Sequence, residues 1–172
     1  LWDIQFIKRS NDNNLGQSGT LKQGLGLMTG DYIAILEGDD YWISNRHLVN
    51  LVESLERFPS TPAAFASWIS HDRGFNHIET RSSQNLGQFI GFNELIAYNA
   101  PATLSACMYR RSSLRDSMEF ISKQTQIADW GINLHVSLLG PLFWHPDVSL
   151  AYLHVENSLW RKIGIRDKSA IT

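Results

Sequence analysis

The stretch Tyr32-Ile33-Ala34-Ile35-Leu36-Glu37-Gly38-Asp39-Asp40-Tyr41-Trp42 decides how this chain is read. Its first five residues are an apolar run long enough for one buried strand. Glu37, Asp39 and Asp40 then crowd onto the end of that strand. Such crowding costs free energy through repulsion and desolvation. A cation there would offset the cost: carboxylates are hard oxygen ligands suited to Mg²⁺ or Mn²⁺, ions that often bridge to phosphates. A solvated acidic turn that merely ends a strand is the plainer alternative.

Outward from this stretch, strands and helices alternate. Upstream, Ile4 to Lys8 reads as a short strand and Ser10 to Gly19 as a loop rich in Asn and Gly. Thr20 can cap a helix with Leu21, Leu25 and Met28 on its apolar face, stopped at Gly30. Downstream, Ser44 caps a helix carrying Leu48, Leu51, Val52 and Leu55, which Pro59 and Pro62 end. Ala63 to Ile69 suits a buried strand, and the polar segment from His71 to Gly87 reads as a surface loop on the substrate side. A short helix over Phe92 to Tyr98, a strand over Leu104 to Tyr109 and a helix over Ser112 to Phe120 follow. The clearest late helix runs from Ile127 to Leu139, with Gly140-Pro141 as its stop. Leu142 to Trp144 and Val148 to Leu153 read as two short strands, and the tail after Trp160 is polar. The alternation gives an α/β class.

The 172 residues suit one domain, and 43% apolar against 19% charged content describes a globular chain. A net charge of -2 gives no general attraction to nucleic acid or to anionic membranes. Cys107 is the single cysteine, so an intrachain disulfide is excluded. No apolar run approaches the ~20 residues of a spanning helix.

Five segments, in order, resemble family 2 glycosyltransferases of the GT-A fold. Asn14-Leu15-Gly16, with the helix after it and Thr29-Gly30-Asp31-Tyr32-Ile33, resembles the family's N-x-G loop and its lead into the metal strand. Leu36-Glu37-Gly38-Asp39-Asp40-Tyr41-Trp42 is similar to the L-D-x-D-D-x-W form of the DxD motif, with Glu37 where the pattern has Asp. Thr103 to Ser112, ending Tyr109-Arg110-Arg111-Ser112, is similar to the acceptor-side strand, and Ala128-Asp129-Trp130 to the [ED]-D-[WY] opening of a late helix. Ala151 to Ser158 resembles the closing Y-R-x-H-x-x-S motif, with Leu153 in the basic position and His154 one place early.

The resemblance implies transfer of a sugar, with inversion, from a nucleotide-diphospho-sugar donor to a carbohydrate or lipid-linked acceptor in polysaccharide or glycoconjugate synthesis. It implies Mn²⁺ or Mg²⁺ as cofactor and a cytoplasmic setting, including the inner face of a membrane. Asp39 is then the direct metal ligand, joined by His154 from the closing motif. Glu37 contacts ribose or water held by the ion, Asp40 the sugar, and Asn14 and Gly16 complete the donor side. Asp129 is the base that takes the acceptor proton. Trp42, Trp130 and Arg110 are substrate-binding candidates. Each has a plainer reading: Asp40 as a helix-leading carboxylate, Asp129 as an N-cap, the tryptophans as core and Arg110 as a surface ion pair.

Against the family pattern the chain starts at the third strand of the sheet. The expected domain, residues 1–160 with a polar tail over 161–172, therefore lacks the first strands of the nucleotide-binding half. An exposed sheet edge, self-association and weak activity in isolation are expected to follow. Two other readings remain open, a metal-dependent phosphoryl-transfer enzyme and a non-catalytic carbohydrate-binding domain. His71 and His77 do not make a convincing zinc pair, and Ser105 and Cys107 lack a paired base in sequence.

Overall fold

The computed structural model describes residues 8, 10, 12–84, 86–123 and 128–154. The expected strand at Ile4 to Lys8, apart from its last residue, and the tail after Trp160 lie outside the described residues. The elements are α1 (Gly16–Leu25), β1 (Tyr32–Ala34), β2 (Tyr41–Trp42), α2 (His47–Arg57), β3 (Ala63–His71), β4 (His77–Arg81) and β5 (Gln88–Ile90). After them come α3 (Phe92–Ala97), a 3₁₀ turn (Leu104–Ala106), β6 (Cys107–Arg110), α4 (Arg111–Lys123), α5 (Ala128–Ser137) and β7 (Leu142–Leu153). The chain is an α/β protein with one mixed sheet flanked by helices, compatible with a GT-A-like fold.

The strand order is β1-β6-β3-β7-β2, with β4 added to the far half of β3 and β5 to the near half of β7. At the centre β3 and β7 run parallel, paired from Ala64 with Phe143 to His71 with Leu153. Strand β3 is apolar almost throughout because both of its faces are covered. Ala63 and Phe65 face the larger core, which contains Leu114 of α4 and Ile132 and Val136 of α5. Ala64 and Ala66 point the other way, onto Leu51 and Leu55 of α2. The two-residue period of the pleat thus sorts one run of small residues between two helical layers. Gly131 lets α5 lie against α4, since a Cβ there would sit 3.1 Å from Phe120 Cε1. His135 stacks on that Phe120 ring at 4.9 Å and its Nδ1 meets Ser117 Oγ at 3.0 Å.

Several elements differ from the sequence expectation. Helix α1 begins at Gly16, ahead of Thr20, where Asn14 Oδ1 accepts the Gly16 N–H at 2.8 Å. In α2 the inward places go to His47, Asn50 and Ser54 beside Leu51 and Leu55, while Leu48 is exposed. The cap of α2 is Arg46 and not Ser44, whose Oγ accepts the Arg46 N–H at 3.2 Å just ahead of the helix. The segment from His71 to Gly87 is not all loop: β4 folds back on β3 through a turn fixed by Asp72. The Asp72 carboxylate accepts the Asn76 side-chain amide at 2.9 Å and the N–H groups of Gly74 and Asn76 at 2.8 and 2.9 Å, and these hydrogen bonds, the Asn76 amide's first, hold its pKa below the ordinary value against a small desolvation.

The two late strands are one, β7, in which the partners of Ala66 and Ser67 jump from His145 to Val148. Pro146 has no N–H to give the ladder, so the strand passes it in a bulge. Ser67 Oγ donates to the His145 carbonyl there at 2.8 Å. Leu104 to Ala106 tightens into a 3₁₀ turn before β6 begins. No helix among the described residues is long and apolar enough to cross a membrane.

Candidate active site

Strand β1 stops at Ala34 and the chain turns through Glu37 to Asp40 before β2, with Asp40 N–H donating to Glu37 O at 3.2 Å. Strand β2 is anchored on β7, Tyr41 opposite Ala151 and Trp42 opposite Leu150. Thr103 lies beneath the turn, almost completely buried. Its Oγ1 is 2.5 Å from Glu37 Oε2 and 2.8 Å from Asp40 Oδ2, and it accepts the Ser105 N–H at 3.2 Å. Ser105 Oγ accepts the Glu37 N–H at 2.9 Å, and its carbonyl accepts Trp42 Nε1–H at 3.0 Å.

A hydroxyl has one proton to donate. Thr103 can therefore donate to only one of the two carboxyls, and the other contact needs a proton on the acid. Asp40 is the better holder: burial pushes its pKa up to about 6, and the charges of Glu37 and Asp39 push the same way against its hydroxyl hydrogen bonds. The backbone adds one more contact, Leu153 N–H to Asp40 Oδ1 at 3.4 Å. Asp39 differs from both neighbours. It is exposed, and its carboxylate makes no side-chain hydrogen bond or ion pair among the described residues.

Asp129 sits in the first turn of α5. Its carboxylate accepts the N–H groups of Trp130 and of its own backbone, and Asn99 Nδ2 donates to its Oδ2 at 3.4 Å. The residue as a whole is partly exposed, but protein packs densely around the carboxyl. Burial first, and then the Glu37 charge, raise it to about 6 against those hydrogen bonds. Tyr152, near the end of β7, senses Asp40, Asp129, Asp39 and Glu37 together, and its phenol is raised by burial and then by all four charges. The acid turn and the head of α5 thus converge above the end of β7. His154 follows two residues on, on the same face of the strand, with its ring 6.5 Å from Tyr152 and its N–H donating to His71 O at 2.8 Å.

The other expected site residues lie elsewhere or face inward. Arg110 is opposite Tyr32, at the start of β1 and away from the acid turn. Its guanidinium donates to Leu55 O at 2.6 Å and Thr61 O at 2.9 Å and lies over the Tyr32 ring, so it ties the end of α2 to the sheet. Its guanidinium is thus engaged by backbone carbonyls, and it makes no ion pair among the described residues. Asn14 and Gly16 are bonded to each other at the exposed head of α1.

Trp42 stacks on buried His47 at 4.8 Å, and Trp130 Nε1–H donates to Leu95 O at 2.7 Å. Both indoles are partly buried against the main core. Cys107 is buried, and desolvation pushes its thiol up to about 12, which removes it as a nucleophile. Sequence reasoning missed Asn99, Thr103 and Ser105 as parts of the site. Small polar residues in a non-periodic segment carry no local signal, and only the sheet brings this segment under a turn more than sixty positions earlier.

Among the described residues no three His, Cys, Asp or Glu side chains converge closely enough to encage a metal ion. The donor set suits instead a cation held by one or two carboxylates and completed by phosphate oxygens and water, the usual habit of Mg²⁺. Of the turn's carboxylates, Asp39 is the exposed one with no side-chain hydrogen bond or ion pair among the described residues.

The chain is 26% identical over 148 residues to a protein of Mycobacterium bovis and to proteins of two Mycobacterium tuberculosis strains, each described as uncharacterized. The match takes in 86% of this chain and 41% of those relatives, so the chain spans about two-fifths of their length. A sequence profile described as Glycosyl transferase family 2 matches residues 2–118, which includes β1, the acid turn, Thr103 and β6. With that match over most of its length, the chain belongs to glycosyl transferase family 2.

Proposed function

We propose that this chain carries out inverting transfer of a sugar from a nucleotide diphosphate to an acceptor hydroxyl, dependent on a divalent cation. Family membership supports the coarse chemistry, glycosyl transfer from a nucleotide sugar. The observation that carries the finer reading is that one short segment holds both parts of the site: Thr103 bonds Glu37 and Asp40 of the acid turn, and Asn99 reaches Asp129 while bracing the Ala102 carbonyl. Asp39 would hold Mg²⁺ or Mn²⁺, with His154 at the same strand end as a further donor. When bound there, the ion neutralises charge on the departing diphosphate.

The chain's own residues do the rest. Asp129 takes the acceptor proton at its carboxylate as the new bond forms. Raised to about 6, it is ionised at neutral pH yet a stronger base than an ordinary aspartate. The N–H groups at the head of α5 and the Asn99 amide fix its orientation, which favours in-line attack. Glu37 faces the ribose of the donor and Asp40 the transferred sugar. A carbohydrate or lipid-linked acceptor, used in polysaccharide or glycoconjugate synthesis at the cytoplasmic side of a membrane, completes the proposal.

Calorimetric titration with UDP- and GDP-sugars, with and without Mn²⁺, tests it. Mn²⁺-dependent binding is expected in the wild type and in Asp129→Asn and is lost in Asp39→Ala, while Asp129→Asn abolishes transfer. Absence of Mn²⁺-dependent binding, both in this chain and in one extended upstream, would overturn the donor site.

A further inference from the structure

We infer that Tyr98, Arg81 and Glu79 form a subsite for an uncharged sugar unit of the acceptor, beside the place where Asp129 takes the acceptor proton. This rests on the proposed transfer reading and deepens it by naming the chemical class of the acceptor. Strand β4 lies within the polar segment from His71 to Gly87 and is added to the edge of β3. Glu79 and Arg81 are two apart on it, hence on one face, opposite Ser70 and Trp68 of β3. Arg81 Nε–H donates to Glu79 Oε1 at 2.6 Å. The guanidinium carbon lies 5.2 Å from the Trp68 ring centroid and 5.9 Å from that of Tyr98. Two rings and a carboxylate thus fix a flat, charged group in one orientation. Its Nη groups make no hydrogen bond among the described residues. Trp68 is buried, whereas Tyr98 is 40% exposed and both members of the Arg81–Glu79 pair are partly exposed.

Two routes tie this group to the candidate active site. Tyr98 precedes Asn99, whose Nδ2 reaches Asp129 at 3.4 Å. Trp68 holds the same segment, its Nε1–H donating to Ala100 O at 3.1 Å. The Trp68 ring also meets Tyr152 edge-on at 6.1 Å, one residue before the Leu153 N–H that reaches Asp40. The chemistry selects the occupant. An aromatic ring offers an apolar face to the C–H groups of a pyranose. The guanidinium supplies donors and the carboxylate acceptors for neighbouring hydroxyls, each of which can both donate and accept. The pair carries no net charge, so an anionic acceptor loses to Glu79 what it gains from Arg81, and a neutral sugar escapes that opposition. Asn99 stands between Tyr98 and the base, so the sugar held here adjoins the unit that is attacked. An acceptor of two or more sugar units fills both places.

Saturation-transfer NMR on the full chain, without donor or metal, tests this. Maltotriose, cellotriose and triacetylchitotriose are the neutral probes and trigalacturonate the charged one. At least one neutral trisaccharide is expected to bind, and Tyr98→Ala and Arg81→Ala are each expected to weaken it about tenfold or more. Tyr98→Phe keeps the ring and Glu79→Gln keeps an acceptor oxygen, so both should stay within about threefold of wild type. Circular dichroism identifies the variants that fold, and the partly exposed Tyr98 gives a reading even if Arg81→Ala does not. No binding of any neutral probe, or binding unchanged in Tyr98→Ala, would overturn the inference. So would trigalacturonate that binds more tightly than every neutral probe and tightens further in Glu79→Gln, the mark of an anion site. The donor titration is a separate measurement. Trisaccharide binding that depends on Tyr98, in a chain without Mn²⁺-dependent donor binding, upholds the subsite and sinks the transfer reading. Donor binding with trisaccharide binding indifferent to Tyr98 sinks the subsite alone.

Discussion

Replacing Asp129 by Asn should make the protein more stable at neutral pH while removing its activity. The carboxyl has an ordinary value of 3.8 and a folded value of about 6. Between the two, the folded chain holds a proton that the unfolded chain has lost, so stability falls as pH rises through that window. Above the folded value the penalty is complete. Two pH units at about 1.4 kcal/mol each give about 3 kcal/mol. Water reaching the exposed side of the residue lowers this to about 1–3 kcal/mol.

Asparagine has no charge to desolvate, yet its carbonyl oxygen can accept the same N–H groups of Asp129 and Trp130 and the Asn99 amide. Urea unfolding in the presence of a chelator, followed by tryptophan fluorescence, should place Asp129→Asn about 1–3 kcal/mol above wild type near pH 8 and level with it near pH 4. Transfer activity should drop by about 10²–10⁴-fold. A stability gain of the same size at both pH values, or no gain near pH 8, would refute the account of a buried base held at an energetic cost.

Three further outcomes are expected. Arg110→Met should lower stability by about 1.5–3 kcal/mol, because its charged hydrogen bonds to the Leu55 and Thr61 carbonyls are lost, and should leave donor KM unchanged; a large rise in KM would restore Arg110 to the substrate site. His47 is buried and held neutral with its pKa lowered to about 4, mainly by desolvation, so stability should be lost as pH falls from 6.5 towards that value. His47→Gln should therefore flatten this acid limb by about 2–3 kcal/mol in urea titrations, and an unchanged limb would exclude His47 as its source. Gly87→Ala should cost about 2–4 kcal/mol, read as a lower melting temperature, because φ is 77° and the new Cβ would lie 2.5 Å from Phe143 Cζ and 2.8 Å from the Trp144 carbonyl oxygen; an unchanged melt would disprove that contact.

Much of the architecture could be read from local pattern. Ala63 to Ile69 falls inside β3, and the late helix over Ile127 to Leu139 is observed as α5 from Ala128 to Ser137. Both are long apolar or amphipathic runs with clear stops. The α2 face was legible at Leu51 and Leu55 but not at His47 or Asn50, since a buried polar residue is admitted only by a distant partner. Those partners, Ser149 Oγ at 2.7 Å and Asp147 Oδ2 at 2.9 Å, are about a hundred positions away in sequence. Strand β4 was missed because His77 to Arg81 lacks apolar alternation; its support is the free edge of β3 and the Asp72 turn. In the site, a carboxylate cluster after an apolar strand is a visible signal. A threonine that straddles two of those carboxylates is not, because nothing in its own neighbourhood distinguishes it from any other loop hydroxyl.

The central place of β7 also bears on how the protein is made. Strand β2 pairs with β7, and β3 pairs with β7 along most of its length. As the chain leaves the ribosome, β3 and the acid turn emerge long before β7 does, and until then β2 lacks its sheet partner and β3 presents an open apolar edge. Residues 142–153 must then insert between strands already synthesised, a non-local step of the kind that slows folding. The carboxylate turn can be locked to β7 only when this insertion is complete. A nascent chain halted before β7 would carry the acidic motif in full without its architecture, and would depend on chaperones to shield β3 in the interval.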